Sequence, residues 1–452
     1  MTAQTILPAN SASSGSYQVD NSVRFDDGSG DILARSNGTP SSQRLFTFSG
    51  WYKKATLASG VNFQFFALYN DNTDRMDFRF QDGDTIDFRN NAPRCRITTN
   101  RLFRDPSAWY HVVLRVDTTQ STAANRIRLY VNGVQETSFS AADYGDQNDD
   151  LITNASTFAV GDDSYGTAHY DGNMSEVVYC DGQSLAPTSF GEFDEDSGIW
   201  KPISVSGLTF GDQGFYLEFK GTGTSANASG IGADTSGNTN HFTVTALAAT
   251  SQSTDTCTNN FCVMNPLDNY YAGNTFSEGN LKIVGKSDQN AYNTSTFGIS
   301  NGKWYYEQKI TASSSNGENV GITDHTATAT DDYLGDGANE YGYYSSNGKV
   351  YNNGGNSAYG DTFDDGDIIG VAIDLDNNKL YFSKNGTFQN SGDPTTGSTG
   401  TGAVSITAAA STLNGVYFIS VSDNGATGTY EMNFGSPPFA ISSGNADADG
   451  HG

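Results

Sequence analysis

The sequence predicts an all-β protein built from two antiparallel β-sandwiches in tandem. The first observation is an internal repeat. Two distant stretches each have the pattern strand, turn, strand. In the first half, His111–Asp117 is followed by Arg126–Gly133, and in the second half Ile369–Asp376 is followed by Lys379–Gly386. Each second strand ends in Asn-Gly, a dipeptide whose two residues tolerate the positive φ angles of a type I′ hairpin turn.

Composition and periodicity favour the same fold class. The 452 residues include 27 Phe and 24 Tyr but only 10 Pro, and aromatic side chains suit the half-buried surface of a pleated sheet. No sustained apolar pattern at i, i+3, i+4 and i+7 predicts a long helix. The length favours two or three domains, and each half is long enough to bury a sizeable core.

Changes in composition along the chain predict the domain boundaries. Residues 1–20 are small and polar and predict a flexible N-terminal arm. A first sandwich is expected over 21–220 and a second over 281–436, because strand patterns alternate with turn residues in both. The Gly/Ser/Thr-rich stretch 221–280 between them predicts a connector, and 437–452 predicts a flexible C-terminal tail.

The charge balance excludes one class of partner. The formal net charge is −27, and the 24 Lys and Arg residues do not cluster, whereas nucleic-acid binding requires a basic surface that neutralises phosphates. The acidity is typical of a surface adapted to salty water, where repulsion between like charges is screened. The alternative interpretation is that some of the acidic residues bind a divalent cation.

The N-terminal residues and the hydropathy bear on location. Met1 is followed by a polar stretch without a basic or apolar region, so we expect no secretory signal peptide and synthesis in a cytoplasm. No apolar run reaches the ~18 residues that a membrane-spanning helix needs. We therefore expect no membrane span.

Four cysteines leave the redox state open. Cys257 and Cys262 enclose four residues and are compatible with a small disulfide or with half of a metal site. No further Cys or His follows at the spacing of a zinc site. The simpler interpretation is that these two, together with Cys95 and Cys180, are unpaired thiols in a reducing compartment.

Four segments of the first half carry a family resemblance. They are Phe48–Tyr52, Ala108–Val113, Leu129–Val134 and Asp171–Val177. Their residues resemble the laminin G-like, concanavalin A-like lectin/glucanase superfamily. The resemblance implies a jelly-roll sandwich and does not specify a ligand.

Four segments of the second half resemble another family. Gly302–Glu307, Val371–Asp376, Leu380–Gly386 and Asn433–Gly435 follow the motif order of a SPRY domain. SPRY domains are also concanavalin-like sandwiches, which accounts for the internal repeat. Together the resemblances imply two tandem concanavalin A-like antiparallel β-sandwiches of the jelly-roll type, joined by the Gly/Ser/Thr-rich connector.

The order of the segments resembles proteins found in phages of marine bacteria. Those proteins pair the same two domains with segments like Phe190–Glu192, Trp200–Pro202 and Asp234–Asn238. The resemblance implies a structural or adhesive virion protein, of tail-fibre type or on the capsid surface. It also implies a location in the virion, other virion proteins or a host-surface glycan as partners, and a homo-oligomer in the particle.

Catalytic patterns are weak in this sequence. Glucanases of this fold carry Glu-x-Asp-x-x-Glu on one strand, which points two carboxylates to one face. Glu192 and Asp194 begin such a pattern, but Ser197 replaces the final Glu. His111 lies in a strand, and no Gly-x-Ser-x-Gly motif is present. We therefore expect a non-enzymatic protein, with a free carbohydrate-binding lectin as the alternative and a glycan hydrolase as the least favoured reading.

Two acidic loops make calcium the most credible cofactor. Calcium prefers several hard oxygen ligands in flexible loops, and laminin G-like domains often hold it in rim loops. Asp146, Asp149 and Asp150 lie in one candidate loop, and Asp162 and Asp163 lie in the other. The alternative is that both loops are solvated and bind no metal.

Tyrosines of the second half predict a glycan-binding surface. Sugar rings stack on aromatic faces, and amide or carboxylate groups take their hydroxyls. The candidate residues are Tyr341, Tyr343, Tyr344, Tyr351, Asn353, Tyr359 and Asp361. The alternative is that half of these tyrosines are core residues whose phenols reach hydrogen-bond partners.

Overall fold

Antiparallel strands dominate the computed structural model, which describes residues 17–57, 59–163, 168–314, 317–425 and 427–441. The helices of these residues are short 3-10 turns: Ala123–Asn125, Pro187–Ser189, Ala249–Ser251, Gln389–Ser391, Pro394–Thr399 and Ala409–Ser411. The all-β class is confirmed. No helix in these ranges has the length and apolar character needed to cross a bilayer.

The chain divides into two compact units, with the boundary between Asn260 and Phe261. The strands of the first unit are β1 (Ser22–Phe25), β2 (Ile32–Ser36), β3 (Leu45–Lys54), β4 (Phe63–Tyr69), β5 (Arg75–Gln81), β6 (Thr85–Asn90), β7 (Cys95–Thr99), β8 (Trp109–Asp117), β9 (Ile127–Val131), β10 (Val134–Gln135), β11 (Phe139–Asp143), β12 (Thr157–Val160), β13 (Gly172–Asp181), β14 (Gly191–Phe193), β15 (Trp200–Pro202), β16 (Phe215–Leu217), β17 (Thr243–Thr245) and β18 (Gln252–Ser253).

Two sheets form the first sandwich. Sheet 1 has the order β10-β9-β8-β3-β13-β1-β18, with β16 also paired to β13, and sheet 2 has the order β11-β7-β6-β5-β4-β12-β2-β17. Phenylalanines from both sheets meet between them, and the rings of Phe48 and Phe66 lie 4.5 Å apart. Such aromatic pairs contribute about 0.5–1.5 kcal/mol beyond the area they bury.

The outer face of sheet 1 carries a second, smaller core. Phe190, Phe210 and Tyr216 pack against Val113 and Val178 of the sheet. The segment that follows β13 therefore folds back over the sheet and covers apolar residues that period-two alternation places on its outer side.

The predicted connector 221–280 differs from the structure. Residues 221–260 belong to the first unit, where β17 pairs with β2 and β18 pairs with β1. Phe242 and Leu247 are buried in the main core of the sandwich. The polar composition of this segment gave no indication of the strands β17 and β18 or of the buried residues Phe242 and Leu247.

The second unit contains the strands β19 (Thr275–Ser277), β20 (Lys282–Val284), β21 (Tyr292–Ile299), β22 (Lys303–Ala312), β23 (Glu318–Thr323), β24 (Tyr341–Tyr344), β25 (Lys349–Asn352), β26 (Gly355–Ala358), β27 (Ile368–Asp374), β28 (Lys379–Lys384), β29 (Thr387–Phe388), β30 (Val404–Ser405), β31 (Tyr417–Asp423) and β32 (Thr429–Asn433). Its sheets have the orders β19-β20-β32-β22-β27-β28-β29, with β30 beside β28, and β21-β31-β23-β24-β25-β26. Alternate residues of both sheets bury a core of Ile, Val, Tyr and Phe.

Both predicted Asn-Gly hairpins are present. Asn132 and Gly133 have φ values of 48° and 76° between β9 and β10, and Asn385 and Gly386 have 50° and 79° between β28 and β29. Positive φ at both central positions is the requirement of a type I′ turn, whose twist matches that of the flanking strands.

The predicted terminal segments are only partly within the described residues. Positions 1–16 and 442–452 lie outside them. Val19, which the prediction placed in the flexible arm, is buried, and its backbone N–H donates to Thr258 Oγ1 over 3.0 Å. The ordered first unit therefore begins before residue 21.

We expect Phe242→Ala to destabilise the first unit by about 3–5 kcal/mol, because the ring leaves a cavity in the main core. Chemical denaturation followed by tryptophan fluorescence measures this loss. Ile199→Ala, at a 53 % exposed position, is the control and should change stability by less than about 0.5 kcal/mol. Equal stability of the two variants would contradict the assignment of residues 221–260 to the first sandwich.

Candidate functional site

A buried Ser-His pair lies on the outer face of sheet 1. His111 Nε2 and Ser49 Oγ are 2.9 Å apart, and the Trp200 indole N–H donates to His111 Nδ1 over 2.9 Å. Because an indole nitrogen only donates, Nδ1 accepts, and Nε2 carries the proton that it donates to Ser49. The imidazole in this tautomer has no free nitrogen to take a proton from the serine hydroxyl.

Aromatic stacking also encloses His111. Its ring lies 4.8 Å from that of Trp51 and 5.9 Å from that of Trp200, and burial lowers its pKa from 6.5 to about 3. Trp109 lies in the same tryptophan cluster, and its indole N–H donates to Asp255 Oδ1 over 3.0 Å. The hydrogen bond from Trp200 to His111 joins the folded-back segment to sheet 1.

The carboxylates suggested for hydrolysis lie at the surface. Glu192 is in β14 and Asp194 follows it, and both contact Lys201 Nζ, at 3.4 Å and 3.2 Å. Hydrogen bonds from Ser197 and Lys201 lower the pKa of Asp194 to about 2. A glycosidase acid needs a raised pKa to hold its proton near neutrality, so Asp194 is unsuited to that role.

An open groove of about 650 Å³ lies in the first unit between the β2–β3 loop and the loop before β12. Its lining is polar and consists of Asn37, Gly38, Thr39, Pro40, Ser41, Ser42, Gln43, Arg44, Asp150 and Asn154. Amides, hydroxyls and an ion pair are the groups that bind a hydroxyl-rich ligand, so we call this surface the β2–β3 groove.

Hydrogen bonds fix the walls of the β2–β3 groove. Asn37 Nδ2 donates to the carbonyl oxygens of Thr153 and Ala155 over 2.9 Å and 3.0 Å. Arg44 Nε donates to Asp150 Oδ1 over 2.6 Å. Because the loop is already held by these bonds, a ligand loses little affinity to ordering it.

The structure corrects the predicted tyrosine surface of the second unit. Tyr341, Tyr343, Tyr344 and Tyr359 are buried. The Tyr343 phenol donates to the Asp361 carbonyl oxygen, and the Tyr344 phenol donates to the Leu334 carbonyl oxygen. The rings of Tyr341, Tyr343 and Tyr359 lie in the core between the sheets, as the alternative interpretation proposed for part of the group. Tyr344 is buried outside that core, against Tyr333 and Tyr351.

Three of the predicted residues remain accessible. Tyr351 is half-buried and lies with its ring 4.1 Å from that of Tyr344. Asn353 and Asp361 are exposed. Tyr270, which was not among the predicted residues, is more exposed than Tyr351, at 89 %.

The predicted calcium ligands do not converge. Asp149 accepts from the backbone N–H of Asp146, and Asp150 is paired with Arg44. Asp162 and Asp163, in the other candidate loop, are buried rather than solvated. Asp162 lies 3.4 Å from His169 Nδ1, and burial raises the pKa of its carboxyl to about 6.

A different acidic cluster brings three carboxylates together. Carboxylate oxygens of Asp26, Asp27 and Asp171 lie within 4.8 Å of one another. The pairing of β1 with β13 places Phe25 opposite Gly172, so the residues just beyond these strand ends meet. Hard oxygen ligands of this kind suit calcium.

The four cysteines are present as thiols. Cys257 and Cys262, the candidate pair, fall in different units. Burial raises the pKa of Cys95 and of Cys180 to about 12, so neither is a reactive thiolate at neutral pH.

Family comparisons match one segment in each unit. Residues 26–183 match the concanavalin A-like lectin/glucanases superfamily, and residues 303–419 match the SPRY domain. The chain therefore contains a concanavalin A-like domain followed by a SPRY domain, both of which the sequence motifs had predicted.

One curated relative is the Ran-binding proteins 9/10 homolog of Drosophila melanogaster, which is 31 % identical over 119 residues. The match covers 24 % of this chain and only 12 % of the relative. Among solved structures, the SPRY domain of human HERC1 is 16 % identical, with a TM-score of 0.30, over 38 % of this chain and 97 % of that one.

Stonustoxin is 17 % identical, with a TM-score of 0.28, over 38 % of this chain and 27 % of that chain. A further human SPRY domain is 16 % identical, with a TM-score of 0.26, over 34 % and 91 % of the two chains. TM-scores of this size do not support a structural argument.

The neutral state of His111 predicts a loss of stability in acid. Its pKa is lower in the folded protein, about 3, than the ordinary value of 6.5, so the unfolded chain binds a proton first. The stabilisation is complete above pH 6.5 and decreases as the pH falls from 6.5 towards 3. Urea unfolding midpoints across this range measure it, and His111→Gln should show a shallower dependence. Parallel pH profiles would contradict the buried neutral state.

We expect Ca²⁺ to raise the melting temperature through the Asp26–Asp27–Asp171 cluster. At a concentration about 100 times Kd, a ligand specific for the folded state stabilises it by about 2.7 kcal/mol. Differential scanning fluorimetry with Ca²⁺ and then with EDTA measures the shift. Asp27→Asn combined with Asp171→Asn should abolish it, whereas Asp150→Asn should not. A shift that survives the double substitution would place the cation elsewhere.

Proposed function

We propose that this chain is a non-enzymatic binding and adhesion protein of a bacteriophage virion. Its two sandwiches serve as rigid supports that hold loops outward, where they contact a host-surface glycan or neighbouring virion subunits. Binding by loops on a rigid scaffold is a general property of β-sandwich domains. The presence of a lectin-like domain and a SPRY domain supports a role in binding.

The observation that carries this proposal is the preorganised, polar β2–β3 groove. It lies outside a core that aromatic side chains fill, so a ligand meets it from solvent. Its amides, hydroxyls and Arg44–Asp150 pair offer both donors and acceptors to sugar hydroxyls. Many copies in one particle would offset a weak affinity at each site.

The state of the candidate catalytic groups supports a non-enzymatic role. In His111 the nitrogen nearest Ser49 already carries a proton, and Asp194 is held ionised beside Lys201. Neither arrangement provides the general base or general acid that hydrolysis requires.

We expect purified protein to bind glycans on an array and the double variant Thr39→Ala, Asn154→Ala to lose most of this binding. Both residues line the groove and are exposed, so the substitutions remove polar groups without disturbing the core. The control Glu192→Gln, Asp194→Asn should bind as the wild type does. The wild type should release no reducing ends from any glycan that it binds.

Mass spectrometry of purified phage particles tests the virion assignment. Stable incorporation of the chain supports it. Glycan binding by a protein absent from particles would favour the free lectin, and release of reducing ends that depends on Glu192 and Asp194 would replace the proposal with a hydrolase.

A further inference from the structure

A row of charged side chains crosses the outer face of sheet 2. Period-two alternation places every second residue of β5, β6 and β7 on this side, away from the phenylalanine core. The residues are Arg75, Asp77, Arg79, Asp87, Arg89 and Arg96. Four guanidinium groups thus share one face of a chain whose formal net charge is −27.

Two of these arginines face each other directly. Arg89 in β6 and Arg96 in β7 are cross-strand partners, a placement in which like charges repel. Buried carboxylates offset the repulsion, because Arg89 Nε donates to Asp77 Oδ2 and Arg96 Nε donates to Asp87 Oδ1, each over 2.7 Å.

The exposed ends of these two side chains remain available. The side chains of Arg89 and Arg96 are 29 % and 34 % exposed, whereas those of Asp77 and Asp87 are fully buried. Across the described ranges, the terminal amino groups of Arg89 have no hydrogen-bond partner, and Arg96 uses one of its own, Nη2, to donate to Gln81 Oε1 over 2.7 Å.

The neighbouring carboxylates form one charge network with the arginines of this row. Asp77 also accepts from Arg75 Nε over 2.8 Å, and Asp163 lies 3.5 Å from Arg75. Asp87 also accepts from Thr98 Oγ1 over 2.7 Å and lies 3.3 Å from the Arg79 guanidinium. Three buried carboxylates, those of Asp77, Asp87 and Asp163, are therefore shared among four guanidinium groups.

One further acidic residue lies on the same row. Asp143 in β11 is the cross-strand partner of Arg96. Its Oδ1 accepts from the backbone N–H of Gly145 over 3.2 Å, and no ion pair joins it to Arg96 within the parts of the chain described. Together with Asp77, Asp87 and Asp163 it gives the row as many carboxylates as guanidinium groups, so a ligand is held by the free N–H donors of Arg89 and Arg96 rather than by net charge.

We propose that Arg89 and Arg96 bind the carboxylate groups of an acidic saccharide. This inference rests on the proposed function, because it adds a second glycan-binding site, separate from the β2–β3 groove, and names the chemical class of glycan that it binds. Planar guanidinium groups bind carboxylates through two parallel N–H···O bonds. Fixing Nε on a buried aspartate orients each fork before the ligand arrives, which lowers the entropy lost on binding.

The test uses the full chain and oligogalacturonate as the probe, with fully methyl-esterified oligogalacturonate as the neutral match. Isothermal titration calorimetry should show binding of the acid form that weakens with added salt, and at least about tenfold weaker binding of the ester. Equal binding of the two probes would overturn the proposal. Equally tight binding of a single-stranded DNA oligonucleotide would also overturn it, because general charge attraction would then suffice.

Substitutions separate recognition from folding. Arg89→Gln with Arg96→Gln should weaken binding of the acid probe by at least about tenfold, because both forks are lost. Asp77 keeps Gln64 and Arg75 as partners, and Asp87 keeps Thr98 and Arg79, so the variant retains its buried network. Circular dichroism and the melting temperature verify the fold.

Two further variants complete the series. Arg89→Lys with Arg96→Lys keeps the charge and loses the planar fork, and should also bind several-fold more weakly; unchanged binding would overturn the assigned geometry. The matched control is Arg104→Gln, whose 55 % exposed guanidinium pairs with buried Asp84, a carboxylate that Lys54 also holds at 2.7 Å. It should bind as the wild type does, and a comparable loss would overturn the site.

Failure of this inference is distinguishable from failure of the proposed function. Binding of neutral glycans through the β2–β3 groove, without preference for the acid probe, would remove the Arg89–Arg96 site and leave the adhesion role intact. A protein that binds no glycan and is absent from particles would remove both.

Discussion

Burial of every second side chain between two sheets is the constraint on which the rest of the structure depends. In the first unit, phenylalanines fill that space and make edge-to-face contacts, as between Phe65 and Phe78 at 5.0 Å. Because the interior is occupied, ligands are left with loops, strand ends and the outer faces of the sheets. The β2–β3 groove, the acidic cluster at the end of β1 and the Arg89–Arg96 pair represent these three locations.

Much of the fold was predictable because period-two alternation and Asn-Gly turns are local signals. Both hairpins and the two domain types follow from residues adjacent in the chain. The role of residues 221–260 was not predictable in this way. β17 and β18 are three and two residues long, too short for a visible alternation, and their pairing depends on strands more than 200 positions away.

The candidate sites, too, depend on strand pairing that local sequence patterns do not show. The tyrosines of the second unit were recognised as a group, but their burial depends on the register of β24 against its neighbours. Asp26, Asp27 and Asp171 meet only because β1 pairs with β13. The charged row was partly visible in the sequence, because Asp87 and Arg89 alternate with the core residues Ile86 and Phe88. The sequence does not show that Arg89 lies opposite Arg96, because that depends on how β6 pairs with β7.

The folded-back segment determines where the first domain ends. The superfamily match ends at residue 183. Trp200, which packs over His111, lies beyond that end. A protein that acquired residues 26–183 alone would expose the indole faces of Trp51 and Trp109 to water. The structural domain therefore extends beyond the superfamily match, to Asn260.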